Sequence, residues 1–298
     1  MSLIGESKEG NVARPANETV PIRGGKLKPK LGQNFLTDHS AAKRIVDALG
    51  DISDRTVIEI GPGRGMLTDL LVRRAHKVIG IELDRVLAAQ MRMRYATLNN
   101  VEVLESDFVT VEWTSMVGRR PGPLHDLRPT QPETVDVVGN LPYYVTSDIV
   151  LRILAEHENI SRAVIMVQRE VADRIAAEPG SRDYGLLSAT AQLFARVENL
   201  FTVPPTAFDP PPQVHSSVLR LTMAPRASEL QVEPGPFVEM LKLAFAQKRK
   251  TLTNNLKGHY DDKATRSALK AAGIRSDARA EAIPLDKMAA IFRALRAA

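Results

Sequence analysis

The sequence predicts an α/β fold, a mostly parallel sheet covered by helices, followed by a small all-helical module. Three observations carry the prediction. From Val57 onward, short β-branched apolar runs alternate with Leu-rich segments at helical spacing, the pattern of parallel strands joined by covering helices. The first run, Val57-Ile58-Glu59-Ile60, breaks into Gly61-Pro62-Gly63-Arg64-Gly65, a turn of the kind that exposes main-chain amides between a strand and a helix. After Pro234-Gly235-Pro236 only helical patterns follow.

Residues 1 to 25 are polar and lack apolar periodicity, which predicts a disordered lead. Lys26-Leu27-Lys28-Pro29-Lys30 then forms a basic ribbon, as suited to a solvated linker as to a nucleic-acid backbone. Asp38 or Ser40 caps a helix through Ala48 that places Ile45, Val46 and Leu49 on one face. Strand, turn and helix repeat through Val57–Ile60, Met66–Arg74, Val78–Ile81, Leu83–Tyr95, Val101–Leu104 and Val135–Val138. Residues Val117 to Thr134 interrupt the rhythm with four Pro, two Gly and three Arg, so they read as an exposed loop. Thr146–Glu156 and Arg169–Ala177 read as helices flanking a strand at Ala163–Val167, and Ser217–Leu221 reads as a later strand. In the final module Phe237, Met240, Leu241, Leu243, Ala244 and Phe245 fall at helical spacing on an apolar face ending at Gln247-Lys248-Arg249-Lys250, with further helices at Lys263–Ala272 and Leu285–Leu295. The domain boundaries expected are 1–25, 26–225 and 226–298.

The glycine turn narrows the chemistry. Turns of this kind serve phosphates, dinucleotides and S-adenosylmethionine alike. A phosphate-cradling loop needs Lys-Ser/Thr after its last glycine, whereas Met66-Leu67 follow Gly65. A dinucleotide fingerprint sets its third glycine three residues after the second, whereas Gly65 follows Gly63 by two. The second strand ends on Glu82, where an acid grips ribose hydroxyls, and the third is followed by Asp107, placed for an adenine amino group. The fourth runs into Asn140-Leu141-Pro142-Tyr143. An exocyclic adenine amine is a poor nucleophile because its lone pair is delocalised into the ring. The Asn140 amide oxygen and the Leu141 carbonyl suit its hydrogens, and Tyr143 suits stacking on the base. Phe208, ahead of Pro210-Pro211-Pro212, is expected to stack opposite Tyr143, with a core plug as the alternative.

Composition bounds the rest. The net charge of +5, from 40 Lys and Arg against 35 acids, suits a polyanionic partner without requiring one. The absence of cysteine excludes disulfides and thiolate metal sites, and the six His show no metal-ligand spacing, so no metal is expected. No apolar run approaches a membrane span and no signal-peptide core is present, which predicts a cytoplasmic protein.

These motifs resemble the KsgA family of ribosomal RNA adenine dimethyltransferases. The likeness extends in order from Leu31-Gly32-Gln33-Asn34-Phe35-Leu36 through Tyr184-Gly185-Leu186-Leu187-Ser188 and Phe208-Asp209-Pro210-Pro211-Pro212-Gln213-Val214-His215-Ser216 to Phe245-Ala246-Gln247-Lys248-Arg249-Lys250-Thr251-Leu252. It covers roughly residues 26 to 298. Gln213 and His215 stand where the family tends to have Lys and Asp.

The resemblance implies a Rossmann-like, seven-stranded S-adenosylmethionine-dependent methyltransferase with a helical RNA-binding domain. It also implies two methyl transfers to each of two adjacent adenines of a 16S ribosomal RNA hairpin, on the small subunit or a precursor, by a monomer. It maps Asn34, Leu36, Gly61, Glu82, Asp107 and Asn140 onto cofactor contacts, with Gly63 in the same turn; the basic run Lys248, Arg249 and Lys250 is itself the reason to expect RNA on the helical module, with a dimerisation or structural role as the alternative. Three rival functions are weighed: a large-subunit (23S) adenine dimethyltransferase, a DNA adenine methyltransferase, which would carry a separate target-recognition domain not seen in the sequence, and a noncatalytic RNA-binding assembly factor.

Overall fold

A computed structural model describes residues 33–113 and 134–297, and these belong to one compact unit. The expected N-terminal lead, the Lys26–Lys30 ribbon and all but the last residue of the Val117–Thr134 loop lie outside the described residues. The strands are β1 (Phe35–Leu36), β2 (Thr56–Ile60), β3 (Lys77–Glu82), β4 (Val101–Glu105), β5 (Val135–Asn140), β6 (Ile160–Gln168), β7 (Ala195–Val203), β8 (Phe208–Asp209) and β9 (Ser216–Met223). The helices are α1 (His39–Asp47), α2 (Thr68–Leu71), α3 (Arg85–Arg94), α4 (Thr146–Ala155), α5 (Arg169–Ile175), α6 (Leu186–Phe194), α7 (Ala227–Leu230), α8 (Pro234–Ala244), α9 (Leu252–Leu256), α10 (Asp262–Ala271) and α11 (Leu285–Arg296).

Seven strands form one sheet in the order β4-β3-β2-β5-β6-β9-β7. All neighbouring pairs from β4 to β6 are parallel, and β9 runs antiparallel to both β6 and β7. The chain therefore starts at the middle of the sheet, steps outward through β3 and β4, and crosses back to β5 on the other side of β2. The carboxyl ends of β2 and β5 lie beside this reversal, the place where open α/β sheets bind ligands. Their approach is close: a Cβ on Gly139 would sit 2.7 Å from the Ile60 carbonyl oxygen, so only glycine is accommodated there.

Burial explains the strand assignments. Val57, Ile58, Val78, Ile79, Val137, Val138 and residues 163–167 are covered on both faces, as expected for central parallel strands. Asp38 caps α1 by accepting from the amides of Ser40 and Ala41, and Asp84 caps α3 in the same way. The helix expected from Met66 is regular only over Thr68–Leu71, because the glycine turn occupies the preceding residues.

Phe237, Met240, Leu241, Leu285, Met288 and Phe292 of the C-terminal helices belong to the same apolar cluster as Ile153, Leu187 and Leu193. The helices that follow Pro234-Gly235-Pro236 therefore share an apolar core with the sheet-covering helices.

Candidate active site

The turn after β2 has the backbone that its glycines suggest. Gly61, Gly63 and Gly65 all have positive φ, at 63°, 56° and 85°. The Gly61 amide donates to the Ile81 carbonyl at 2.9 Å, which ties the turn to the end of β3. A Cβ on Gly61 would meet nothing within 4 Å, whereas one on Gly63 would touch the Phe35 ring at 3.2 Å and one on Gly65 the Tyr95 hydroxyl at 2.8 Å. The turn is thus packed at Gly63 and Gly65 and open at Gly61, the side on which a ligand can approach the main chain.

Glu82 closes β3 as expected, and both of its oxygens are oriented by main-chain donors. Oε2 accepts from the Gly63 amide and Oε1 from the Asp84 amide, each at 3.0 Å. Burial raises its pKa, against the main-chain amides of Asp84, Gly63 and Leu83 that lower it. The Ser106 amide donates to the Glu82 carbonyl at 3.1 Å, so the ends of β3 and β4 are joined, and Asp107 follows one residue later. Asp107 is half-buried and accepts from the Val109 amide at 2.9 Å, which shapes the turn after β4. These residues fit the adenosine part of S-adenosylmethionine: a carboxylate fixed beside an open glycine turn for the ribose, and a second acid one strand further out for the base.

Asn140 ends β5. Its Nδ2 donates to the main-chain carbonyl of Asn34 at 2.9 Å. Only a donor can face that carbonyl, so the bond also fixes the amide oxygen as the group left to accept. The Leu141 amide donates to the Met166 carbonyl at 3.0 Å, and the Pro142 carbonyl receives the Thr146 hydroxyl at 2.9 Å. The Tyr143 hydroxyl lies 3.2 Å from the Ser216 hydroxyl on β9, and burial raises its pKa. Its ring is held by its far end at the edge of the turn.

The cover over this turn is a two-stranded ribbon in which β1 pairs antiparallel with β8, Phe35 opposite Asp209 and Leu36 opposite Phe208. Arg64 of the glycine turn locks it. Its guanidinium lies 4.2 Å from the Phe35 ring centroid and forms a 3.1 Å ion pair with Asp209. Phe208 lies in the setting that the core-plug alternative describes. The residue is 3 % exposed and belongs to the same apolar cluster as Leu36, Val203 and Ala207.

Lys248, Arg249 and Lys250 are exposed in the turn after α8. Lys248 donates to the Arg182 carbonyl and thereby joins this turn to the loop before α6. Nothing in the described geometry places them against the catalytic turn.

Sequence reasoning missed Glu59 as part of the site. It is 1 % exposed in β2, accepts the Thr68 hydroxyl at 2.6 Å and is pushed up to about 8 by burial. The position inside an apolar strand was its only signal. Arg94 and Tyr95 were also missed: both bond Asp69, and Arg94 donates to the Arg64 carbonyl at 2.9 Å, which holds the turn from the side of α3.

Fold and site together define an S-adenosylmethionine-dependent methyltransferase. The family model for ribosomal RNA adenine dimethylase matches residues 24–297, and the chain belongs to that family. It is similar to the ribosomal RNA small subunit methyltransferase A of Koribacter versatilis, at 60% identity over 269 residues, which cover 90% of this chain and 94% of the relative. The protein of the same name from Geobacillus thermodenitrificans is 37% identical over 292 residues, covering 96% and 97%. Among solved structures, the 23S rRNA methyltransferase ErmE aligns with a TM-score of 0.61 and 28% identity, over 88% of this chain and all (100%) of that one. A dimethyladenosine transferase from Plasmodium falciparum shares the fold, with a TM-score of 0.69 at 23% identity, covering 86% of this chain and 95% of that one.

Proposed function

We propose that this protein dimethylates the N6 amines of two adjacent adenines in a small-subunit (16S) ribosomal RNA hairpin, acting as a monomer in the cytoplasm on the small subunit or its precursor during subunit biogenesis. The observation that carries the reading is the fixed amide of Asn140 beside the glycine turn, an acceptor oriented for an amine where the methyl donor would lie. The small-subunit methyltransferase names of the similar proteins favour that RNA over the large-subunit alternative.

Each transfer joins the adenine nitrogen to the methyl carbon and breaks the carbon–sulfur bond, S-adenosylmethionine supplying an electrophilic methyl on its sulfonium. The chain's own part is positional and electrostatic. Asn140 Oδ1 and the Leu141 carbonyl accept the hydrogens of the amine, which draws the nitrogen lone pair out of conjugation. The Pro142 carbonyl is spent on α4, so Leu141 supplies the main-chain acceptor. Tyr143 presents its ring to the base and to the positive charge that develops on nitrogen. The proton then leaves to water, so neither Glu82 nor Asp107 acts as a base. Glu82 takes the ribose hydroxyls, Asp107 the cofactor's adenine amine, and Gly61 and Gly63 line the approach, with Asn34 and Leu36 in the cover. Lys248, Arg249 and Lys250 grip RNA phosphates.

Radiolabelled methyl transfer to small-subunit particles, large-subunit RNA and DNA in parallel tests the reading. Label confined to the small-subunit particle, recovered as N6,N6-dimethyladenine, is expected. Label in large-subunit RNA instead overturns the substrate, and label nowhere leaves a noncatalytic RNA-binding assembly factor.

A further inference from the structure

Tyr144 stands out among the aromatic side chains of the described residues. The others are buried or half-buried, whereas Tyr144 is 63 % exposed. It directly follows Tyr143, whose hydroxyl is held by Ser216, so consecutive tyrosines leave the catalytic turn in different environments, one tethered inward and one out in solvent. The strand that Ser216 begins is preceded by Val214, which is 45 % exposed, and by exposed His215. The His215 carbonyl accepts from the Arg169 amide at 3.0 Å, which brings the exposed start of α5 to the same rim. An uncovered ring, an apolar side chain and an imidazole therefore stand by the turn that carries Asn140, and Arg169, whose guanidinium lies 4.0 Å from Asp173, begins the adjoining helix. The remaining large exposed apolar side chains, Leu83, Val86, Met93 and Leu98, lie on or beside α3.

We propose that this rim is a subsite for the nucleobase next to the target adenine, with Tyr144 as its stacking platform. The inference rests on the RNA adenine reading above and adds a second base to it. Extruding a base breaks its stack with the neighbour, at a cost of a few kcal/mol. A ring one residue along from Tyr143 replaces the lost stacking partner without reading sequence, since every base has a π-face. Val214 supplies an apolar edge, and Arg169, at the same rim, a cation for the adjoining phosphate.

The test compares Tyr144→Ala and Tyr144→Phe with wild type in methyl transfer to small-subunit particles. Tyr144→Ala is expected to raise KM for the particle roughly 5- to 150-fold, the range for losing one base stack. S-adenosylmethionine affinity by calorimetry should be unchanged, and Tyr144→Phe, which keeps the ring, should match wild type. A second readout uses an RNA hairpin with 2-aminopurine beside the target adenine: wild type and Tyr144→Phe should change its fluorescence on binding, and Tyr144→Ala should not. An unaltered KM with Tyr144→Ala overturns the subsite, as does an equal loss with Tyr144→Phe, which would assign the effect to the hydroxyl, or a fall in cofactor affinity, which would assign the ring to the other ligand. Failure of the underlying reading looks different, because wild type itself would then transfer no methyl to the particle.

Discussion

The side chain of Asn140 is bonded through Nδ2 to the main-chain carbonyl of Asn34, 106 residues earlier in the chain, at 2.9 Å. One contact thereby couples the acceptor for the substrate amine to the segment that covers the cofactor turn. Asn140→Ala removes both the acceptor and the tie, and single-turnover methyl transfer should slow by roughly two to four powers of ten. Asn140→Asp should not rescue it, because a carboxylate facing a carbonyl has no hydrogen to donate. A single-turnover rate within tenfold of wild type for either variant would remove Asn140 from the chemistry.

Glu82 is already oriented by the Gly63 and Asp84 amides, so a ribose meets a preorganised acceptor. Glu82→Ala should weaken S-adenosylmethionine binding by about 1.5–3 kcal/mol per hydrogen bond lost. Calorimetry decides it, and an unchanged affinity would place the ribose elsewhere.

Glu59 makes a pH prediction with a definite sign. Its carboxyl is raised by burial from the ordinary 4.5 to about 8, so across that window the folded state holds a proton that the unfolded state has released. Stability is therefore full below about pH 4.5 for this group and falls as pH rises towards 8. Glu59→Gln keeps an acceptor for the Thr68 hydroxyl without the charge. The variant should lose the part of the decline in melting temperature between pH 5 and pH 8 that this residue causes. The same slope in wild type and variant would show that Glu59 does not titrate there.

For Phe208, burial against Leu36, Val203 and Ala207 predicts a stability role. Phe208→Ala should cost about 3–5 kcal/mol in denaturant unfolding, the range for truncating a buried aromatic. Phe208→Leu fills more of the space and should keep the wild-type ratio of dimethyl- to monomethyladenine by nucleoside mass spectrometry. Accumulation of monomethyladenine in a well-folded Phe208→Leu variant would return the ring to the stacking role that the sequence suggests.

The parts of the fold that were legible are those whose signal is local. Central strands such as β2 and β3 are continuous apolar runs, and the bend after β2 is marked by its own glycines. The edge strand β7 was not legible, because Ala195–Val203 mixes Arg196, Glu198 and Asn199 with apolar residues along a largely uncovered surface. The β1–β8 ribbon was beyond reach for another reason. Each strand has two residues, and nothing near Phe35 indicates that its partner is Asp209. At the site, Glu82 and Asn140 are identified by the strand ends they close. Arg64 acquires its role only when Asp209 arrives from 145 residues away.

The basic turn at Lys248-Arg249-Lys250 supplies the last prediction. Lys248 is partly committed to the Arg182 carbonyl, so substituting it would disturb the loop before α6 as well as remove a charge. Arg249 and Lys250 are exposed, and replacing both with Ala leaves the buried residues Ala244 and Leu252 on either side untouched. If the two side chains contact phosphates, each releases condensed counterions on binding, and the double variant should bind the ribosomal particle more weakly with a shallower dependence of log affinity on log salt. On single-stranded RNA the slope should fall by roughly 0.7 per contact and on a duplex by somewhat more. Cofactor affinity and melting temperature should stay at wild-type values. Measuring particle binding across a salt series for wild type and variant decides the matter: parallel lines would show that these side chains are solvated and that the RNA grip lies on another face.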